Sequence, residues 1–195
     1  MARIDPVDGD ELPDSYEIIE RQRDKLSERV DSDFWNRQPT VRTFSNNPEL
    51  GNAHVFTNTL MWTETGLSGT ESEAVIMTVA RELDAELLWH DHVGRAIDHD
   101  RLTEAQILSI ADRDPEAFDE PLRTLVEYVL AYVAEQGSVD DATHDALAAQ
   151  YDDETVVGVA MLAGFYLSLS HQSRALGLTR DGFVGWHLEN YESEE

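Results

Sequence analysis

The chain has 195 residues, of which 41% are hydrophobic, and this length and composition are typical of one folded domain with a buried core. Forty acidic residues against fourteen basic ones give a formal charge of −26, which argues against nucleic-acid binding because phosphate recognition requires clustered lysine and arginine. Because the chain has no cysteine, disulfides, thiolate metal sites and thiol catalysis are excluded.

The large excess of acidic residues indicates a protein adapted to a salt-rich cytosol. Lys25 is the only lysine, and the self-repulsion of many carboxylates is tolerated where concentrated ions shorten the Debye length. The N-terminus has no apolar signal-peptide region, and the longest charge-free apolar run, residues 155–170, is shorter than the ~20 residues that span a bilayer. We therefore expect a halophile-type, cytoplasmic, soluble protein, with no membrane and no nucleic acid among its partners.

Helix signals dominate the first half of the chain, while patterns typical of strands are almost absent. After an acidic lead-in of about 13 residues, which we expect to be loosely held, Asp14 or Ser15 can cap a first helix. Asn47 is predicted to cap a further helix, with Pro48 at its first position and Gly66 at its end. The fold class is therefore predicted to be all-α.

The second half continues the helical pattern. Thr103 and Gln106 form a predicted capping box, and the apolar residues over 121–136 have the spacing of an amphipathic helix. Asp141 is predicted to cap the short helix that follows.

The last helix is predicted to begin at Asp152 or Asp153, to end at Gly177, and to be apolar on nearly all sides. Such a helix belongs in the core or at a subunit interface. Three large residues of the tail should dock on the domain or on a neighbouring subunit: Phe183, Trp186 and Tyr191.

The stretch from Glu73 to Ala96 contains the most informative spacing. Ala85 lies twelve positions after Glu73, Leu88 three positions later, and His92 four positions after that. The corresponding pattern in the alkylhydroperoxidase-like, or carboxymuconolactone decarboxylase, family is Glu-x11-Cys-x2-Cys-x3-His. This chain resembles that frame with Glu and His kept and both cysteines replaced, and the run from Leu88 to His92 resembles the family's cysteine-free branch.

The resemblance extends over roughly residues 40–178. Further segments that resemble the family lie at residues 47–50, 67–68, 96–97, 102–107, 164–166 and 175–177. The resemblance implies an alkylhydroperoxidase-like helical bundle that is oligomeric and needs no cofactor. The chain would then consist of an N-terminal extension with one helix (1–38), the helical domain (39–178) and a C-terminal tail (179–195).

The resemblance also implies catalytic roles for His92 and Glu73. In the family the matching histidine transfers protons, and a carboxylate beside it can set its tautomer. Structural alternatives exist, because a histidine on an apolar helix face is more often a core residue and Glu73 can form a capping box with Thr70. Ser68 and Glu71 form an equally good box, which would leave Glu73 free to point inward.

Three further residues are assigned to substrate binding: Arg95, Trp89 and Leu88. Leu88 and Trp89 fall on the same predicted helix face as His92, and Arg95 can hold an anionic substrate, with Arg81 as an alternative. The resemblance then implies acid–base decarboxylation, or related chemistry, on a small carboxylated or lactone metabolite. Thiol peroxidase activity is excluded because both cysteines of the frame are missing.

Two alternatives remain open at this point. The cysteine-free branch usually has Glu where this chain has Leu88, so a non-catalytic relative that binds a small ligand, or acts as an oligomeric interaction protein, is the second hypothesis. A metal site is not predicted, because His90 and His92 are two residues apart and lie on opposed helix faces. The expected partners are a small-molecule substrate or ligand and other copies of the chain.

Overall fold

The computed structural model describes residues 3–12, 16–26, 34–178 and 182–192. Within these ranges the chain is all-helical and contains no strand, so the predicted fold class is confirmed. The described helices are α1 (Glu17–Arg21), α2 (Arg23–Leu26), α3 (Phe34–Arg37), α4 (Pro39–Phe44), α5 (Pro48–Thr63), α6 (Gly69–Glu82), α7 (Glu86–Asp98), α8 (Glu104–Asp112), α9 (Leu122–Ala134), α10 (Asp141–Ala148) and α11 (Asp153–Ala175). The predicted caps of the first helix, Asp14 and Ser15, lie outside the described residues.

Several helices begin where the capping residues predict. The side chain of Asn47 accepts a hydrogen bond from the first turn of α5, and Thr103 and Gln106 form the predicted capping box of α8. Asp152 caps α11 in the same way. Each cap satisfies an N–H group that would otherwise have no partner at the helix start.

Two local predictions differ from the structure. Asp140, not Asp141, caps α10, because its carboxylate is the one that reaches the N–H of Thr143, at 2.9 Å. The described part of the lead-in is also attached to the domain, since Val7 and Arg42 exchange two hydrogen bonds. The Val7 N–H donates to the Arg42 carbonyl at 3.2 Å, and the Arg42 guanidinium donates to the Val7 carbonyl at 2.8 Å.

Helix α6 lies at the centre of the bundle and packs against α7, α8, α9 and α11. Nine consecutive residues, 72–80, are buried in it. A helix with neighbours on every side is expected to be apolar nearly all round. The buried carboxylate of Glu73 is therefore an exception, and a buried charge requires partners.

Helix α11 packs against the core on one side only. At Gly158 an added Cβ would lie 2.2 Å from the carbonyl oxygen of Thr65, so only glycine allows this contact with the turn after α5. On the opposite side Val157 and Met161 are 57% and 54% exposed, so burial within the chain does not account for the apolar pattern. No helix in the described ranges is both long and apolar enough to cross a membrane.

The tail docks on its own chain, against α6 and α7. The ring of Trp186 packs on Trp89 with centroids 5.3 Å apart, and the Arg81 guanidinium lies 4.6 Å above it. The indole N–H of Trp89 donates to the Gly185 carbonyl at 3.1 Å, and the hydroxyl of Tyr191 donates to an α7 carboxylate at 2.7 Å. The tail therefore covers the side of α7 that carries Trp89.

Candidate functional site

The position of Glu73 follows from how α6 begins. Ser68 caps the helix and forms a capping box with Glu71, so this alternative is confirmed and the box with Thr70 is not formed. Glu73 then lies one turn into the helix on its inner side, and its side chain is only 3% exposed. A tight turn at Asp84, with φ of 47°, separates α6 from α7 and allows α7 to pack back against α6.

This packing brings His92 of α7 onto Glu73. The ring nitrogen Nδ1 of His92 lies 2.6 Å from Oε2 of Glu73, and both side chains are 3% exposed. The second carboxylate oxygen, Oε1, accepts a hydrogen bond from Nη1 of Arg101 at 3.1 Å. Arg101 follows α7 and is itself almost buried. Both oxygens of the carboxylate are thus paired, which is how a buried charge is tolerated.

The surroundings determine the charge state of the pair. Burial alone would raise the pKa of Glu73, but His92, Arg95 and Arg101 outweigh it and hold that pKa below its ordinary value. Burial, aided by Arg95, lowers the pKa of His92 against the opposing effect of Glu73. We infer an ionised carboxylate and a neutral imidazole near pH 7. Nδ1 then donates to Glu73, and Nε2 carries the lone pair.

Two aromatic side chains surround the imidazole. Tyr166 of α11 and Trp62 of α5 both meet it edge-on, with centroids 5.4 Å and 6.4 Å away. The indole N–H of Trp62 donates to the Tyr166 hydroxyl at 2.7 Å, and burial raises the pKa of that hydroxyl. The tyrosine is therefore un-ionised, and the ring of His92 lies in a buried site with aromatic neighbours.

Arg95 lies about one helical turn after His92 on α7, and both side chains contact the ring of Trp62. Its guanidinium lies 4.6 Å from the centre of the Phe34 ring and 4.8 Å from that of the Trp62 ring, so it is held by cation–π contacts. Nε donates to the Asp91 carbonyl at 3.3 Å, while the buried Nη1 has no hydrogen-bond partner among the described residues. An unpaired, buried cationic donor can bind a carboxylate or a carbonyl oxygen.

The other two predicted substrate residues lie apart from the pair. Leu88 and Ala85 line a cavity of about 230 Å³, together with residues of α11. Trp89 is fully buried under the tail, against Trp186. Leu88, Trp89 and His92 are all buried, but the buried residues of α7 contact different elements. His92 is the one of the three for which the structure shows a hydrogen bond to Glu73.

Sequence reasoning did not identify three residues of the site: Trp62, Arg101 and Tyr166. They come from α5, from the turn after α7 and from α11, and no local spacing links them to His92. The charged residues near His90 do not form a metal site, because in the described part of the chain no three His, Asp or Glu side chains converge. His90 instead accepts a hydrogen bond from the N–H of Val184 in the tail, at 3.1 Å.

In comparisons with known proteins, no family model matches the chain, and neither does any curated protein.

Proposed function

We propose that the chain is a carboxymuconolactone decarboxylase-like protein with an alkylhydroperoxidase-like fold. It acts, without a cofactor, in acid–base decarboxylation or related chemistry on a small carboxylated or lactone metabolite. The observation that carries the proposal is the buried hydrogen bond between Glu73 and His92, at the spacing of the family frame. The resemblance also implies an assembly of several copies, which we include in the proposal.

The arrangement supplies the groups that such a reaction needs. When the bond to the departing carboxylate breaks, carbon dioxide leaves and the electron pair passes into an adjacent carbonyl as an enolate. Arg95, with its unpaired Nη1, binds this carbonyl or a second carboxylate and stabilises the developing negative charge. His92 takes one proton from solvent at Nε2 and delivers it to the carbon from which carbon dioxide has left.

Glu73 has a positioning role in this scheme. Its ionised carboxylate fixes the tautomer of His92 and stabilises the imidazolium that exists between proton uptake and delivery. Arg101 in turn keeps Glu73 ionised by pairing with its second oxygen. The burial of the pair strengthens each of these charge interactions, because the local dielectric is lower than that of water.

A specific observation also favours the second hypothesis, a relative that binds a small ligand without turning it over. The pair is enclosed, and neither Glu73 nor His92 lines the 230 Å³ cavity beside Ala85 and Leu88. In that case the network of Glu73, His92 and Arg101 is structural, and the ligand binds in the cavity next to Leu88.

The His92→Gln substitution tests the enzyme proposal. We expect turnover to fall by roughly 10²–10⁴-fold, because glutamine can accept or donate a hydrogen bond but cannot transfer a proton near neutral pH. The measurement is product formation from a panel of small carboxylic acids and lactones, in molar KCl, after a thermal-shift screen has selected compounds that bind. Helical circular dichroism checks that the variant is folded.

Two controls make the result specific. His144→Gln changes an exposed histidine of α10 and should leave turnover unchanged. The pH profile is the second control, because proton delivery by an imidazole of lowered pKa predicts that kcat/KM rises as the pH is lowered towards that pKa. Ligand binding without turnover would favour the second hypothesis, and turnover unaffected by His92→Gln would place the chemistry elsewhere.

A further inference from the structure

The large hydrophobic side chains that the protein exposes are concentrated on two neighbouring helices. In the described ranges five such side chains are exposed: Ile4, Leu50, Phe56, Val157 and Met161. All except Ile4 lie on α5 or α11, which pack against each other. Isolated exposed hydrophobic residues are normal on a protein surface, but a contiguous group indicates an interaction site.

The same two helices are free of acidic residues over most of their length. Neither residues 50–63 nor residues 155–175 contain an aspartate or a glutamate, although 40 of the 195 residues of the chain are acidic. At that average density roughly seven acidic residues would be expected in the two segments. The apolar surface therefore lies on two long segments of a strongly negative molecule that carry no acidic side chain.

A groove is lined by residues of both helices, and the exposed Leu50 is one of them. It has a volume of about 580 Å³, and none of its lining residues is charged. His54 lies in it, stacked on Phe165 with centroids 5.6 Å apart and meeting Phe44 edge-on at 4.8 Å. Burial lowers the pKa of His54 to about 4, so the histidine is also uncharged at neutral pH. Leu50, Phe56, Val157, Met161 and this groove are called here the α5–α11 face.

We propose that the α5–α11 face is the interface with a second copy of this chain, related by a two-fold axis. Two copies that each carry −26 can approach closely only where acidic side chains do not meet, and this face meets that requirement. A two-fold axis pairs the same patch with itself, and an apolar patch is complementary to its own copy. A basic partner would be attracted to the acidic remainder of the surface instead.

A small ligand would cover less of the exposed apolar surface than a second copy of the chain would. It could fill the groove between His54 and Phe165, but Val157 lies beyond the residues that line the groove and would stay exposed, as would Phe56. A second copy covers the groove and these flanking side chains together. It also explains why α11 is apolar on its outward side, which burial within the chain does not.

The test is the mass of the particle in molar KCl, measured by light scattering after size exclusion. The wild-type chain should have twice the mass of the 22.0 kDa monomer, or a higher even multiple of it. Met161→Glu adds a negative charge to this face of each copy and should reduce the mass by half, with helicity unchanged because the residue is exposed in the monomer. Ile4→Glu, an equal change outside the face, should leave the mass unchanged. A monomeric wild type, or a Met161→Glu variant of unchanged mass, would overturn the proposal.

A second measurement uses the absence of cysteine in the chain. Ser168→Cys places a single thiol in the groove, and Ala149→Cys places one on an exposed site after α10. Spin labels on Ser168→Cys should give a short inter-subunit distance that Met161→Glu abolishes, whereas labels on Ala149→Cys should lie farther apart. If labels at the groove are as distant as those at Ala149→Cys, or if the groove of a monomer binds an apolar dye instead, the interface is not at this face.

Discussion

Replacing Glu73 by leucine should destabilise the fold by about 3–5 kcal/mol, the cost of removing one partner from a buried ion pair. The substitution leaves Nδ1 of His92 without an acceptor and leaves the nearly buried guanidinium of Arg101 without its carboxylate. Neither group can fully recover the lost interaction from bulk water, because the side chains of His92 and Arg101 are only 3% and 9% exposed. The measurement is urea unfolding in molar KCl, followed by circular dichroism.

Two further variants distinguish the effect of breaking the buried network from the effect of removing any carboxylate. Glu127→Leu removes an exposed glutamate from α9 and should change stability by about 0.5 kcal/mol or less. Glu73→Gln keeps an acceptor for His92 but loses the charge opposite Arg101. Its free energy of unfolding should therefore lie between those of the wild type and Glu73→Leu. If Glu73→Leu proves as stable as Glu127→Leu, the buried network does not hold the helices together.

Acid should weaken the same network. Because the folded-state pKa of Glu73 is below its ordinary value of 4.5, its contribution is present above about pH 4.5 and is lost as the pH falls through the lowered pKa. The lowered pKa values of His92 and His54 act in the same direction, since both are neutral in the fold and gain protons more readily in the unfolded chain below pH 6.5. The buried histidines should therefore reduce stability from about pH 6.5 downwards.

Transfer from molar to tenth-molar salt should dissociate the assembly and then reduce its helicity. The Debye length rises from about 3 Å to about 10 Å over this range, so repulsion within and between chains of −26 is screened much less. Lower salt should also weaken the proposed contact between copies at the apolar α5–α11 face. Ion pairs cannot compensate, because fourteen basic residues face forty acidic ones.

Light scattering and helical circular dichroism during dialysis measure this effect. A dialysis into tenth-molar salt with added sucrose is the control, because sucrose supports burial of surface without screening charge. We expect sucrose to restore less of the helicity than molar KCl does. A chain that keeps its mass and helicity at tenth-molar salt would show that the acidity serves another purpose, such as repelling an anionic competitor.

Local patterns in the sequence predicted much of the fold, and the family resemblance predicted the centre of the site. The capping residues fix where α5, α6, α8 and α11 begin, since a cap depends on neighbours within one turn. The sequence left Ser68 and Thr70 open as caps of α6, and the structure has the Ser68 cap, which leaves Glu73 pointing inward. The family resemblance predicted that Glu73 and His92 share a site, and the structure brings the two side chains to 2.6 Å.

The remaining features depend on contacts between residues that are distant in sequence. The pairing of Trp62 with Tyr166 spans 104 positions, and that of Arg101 with Glu73 spans 28. Trp89 shares a predicted helix face with His92, but Trp186 of the tail packs on Trp89. No pattern in α7 indicates where the tail lies. The exposed outer side of α11 was also not predictable, because an apolar helix has the same pattern in a core and at an interface.

The central claim is that Glu73 is ionised and holds a neutral His92 ready to accept a proton at Nε2. Nitrogen-15 NMR of histidine-labelled protein tests it directly, with the signals of His92 assigned by their absence in His92→Gln. At pH 7 in molar KCl we predict a neutral ring protonated at Nδ1, which titrates below pH 6.5. A ring protonated at Nε2 instead, or an imidazolium that persists above pH 7, would contradict the account.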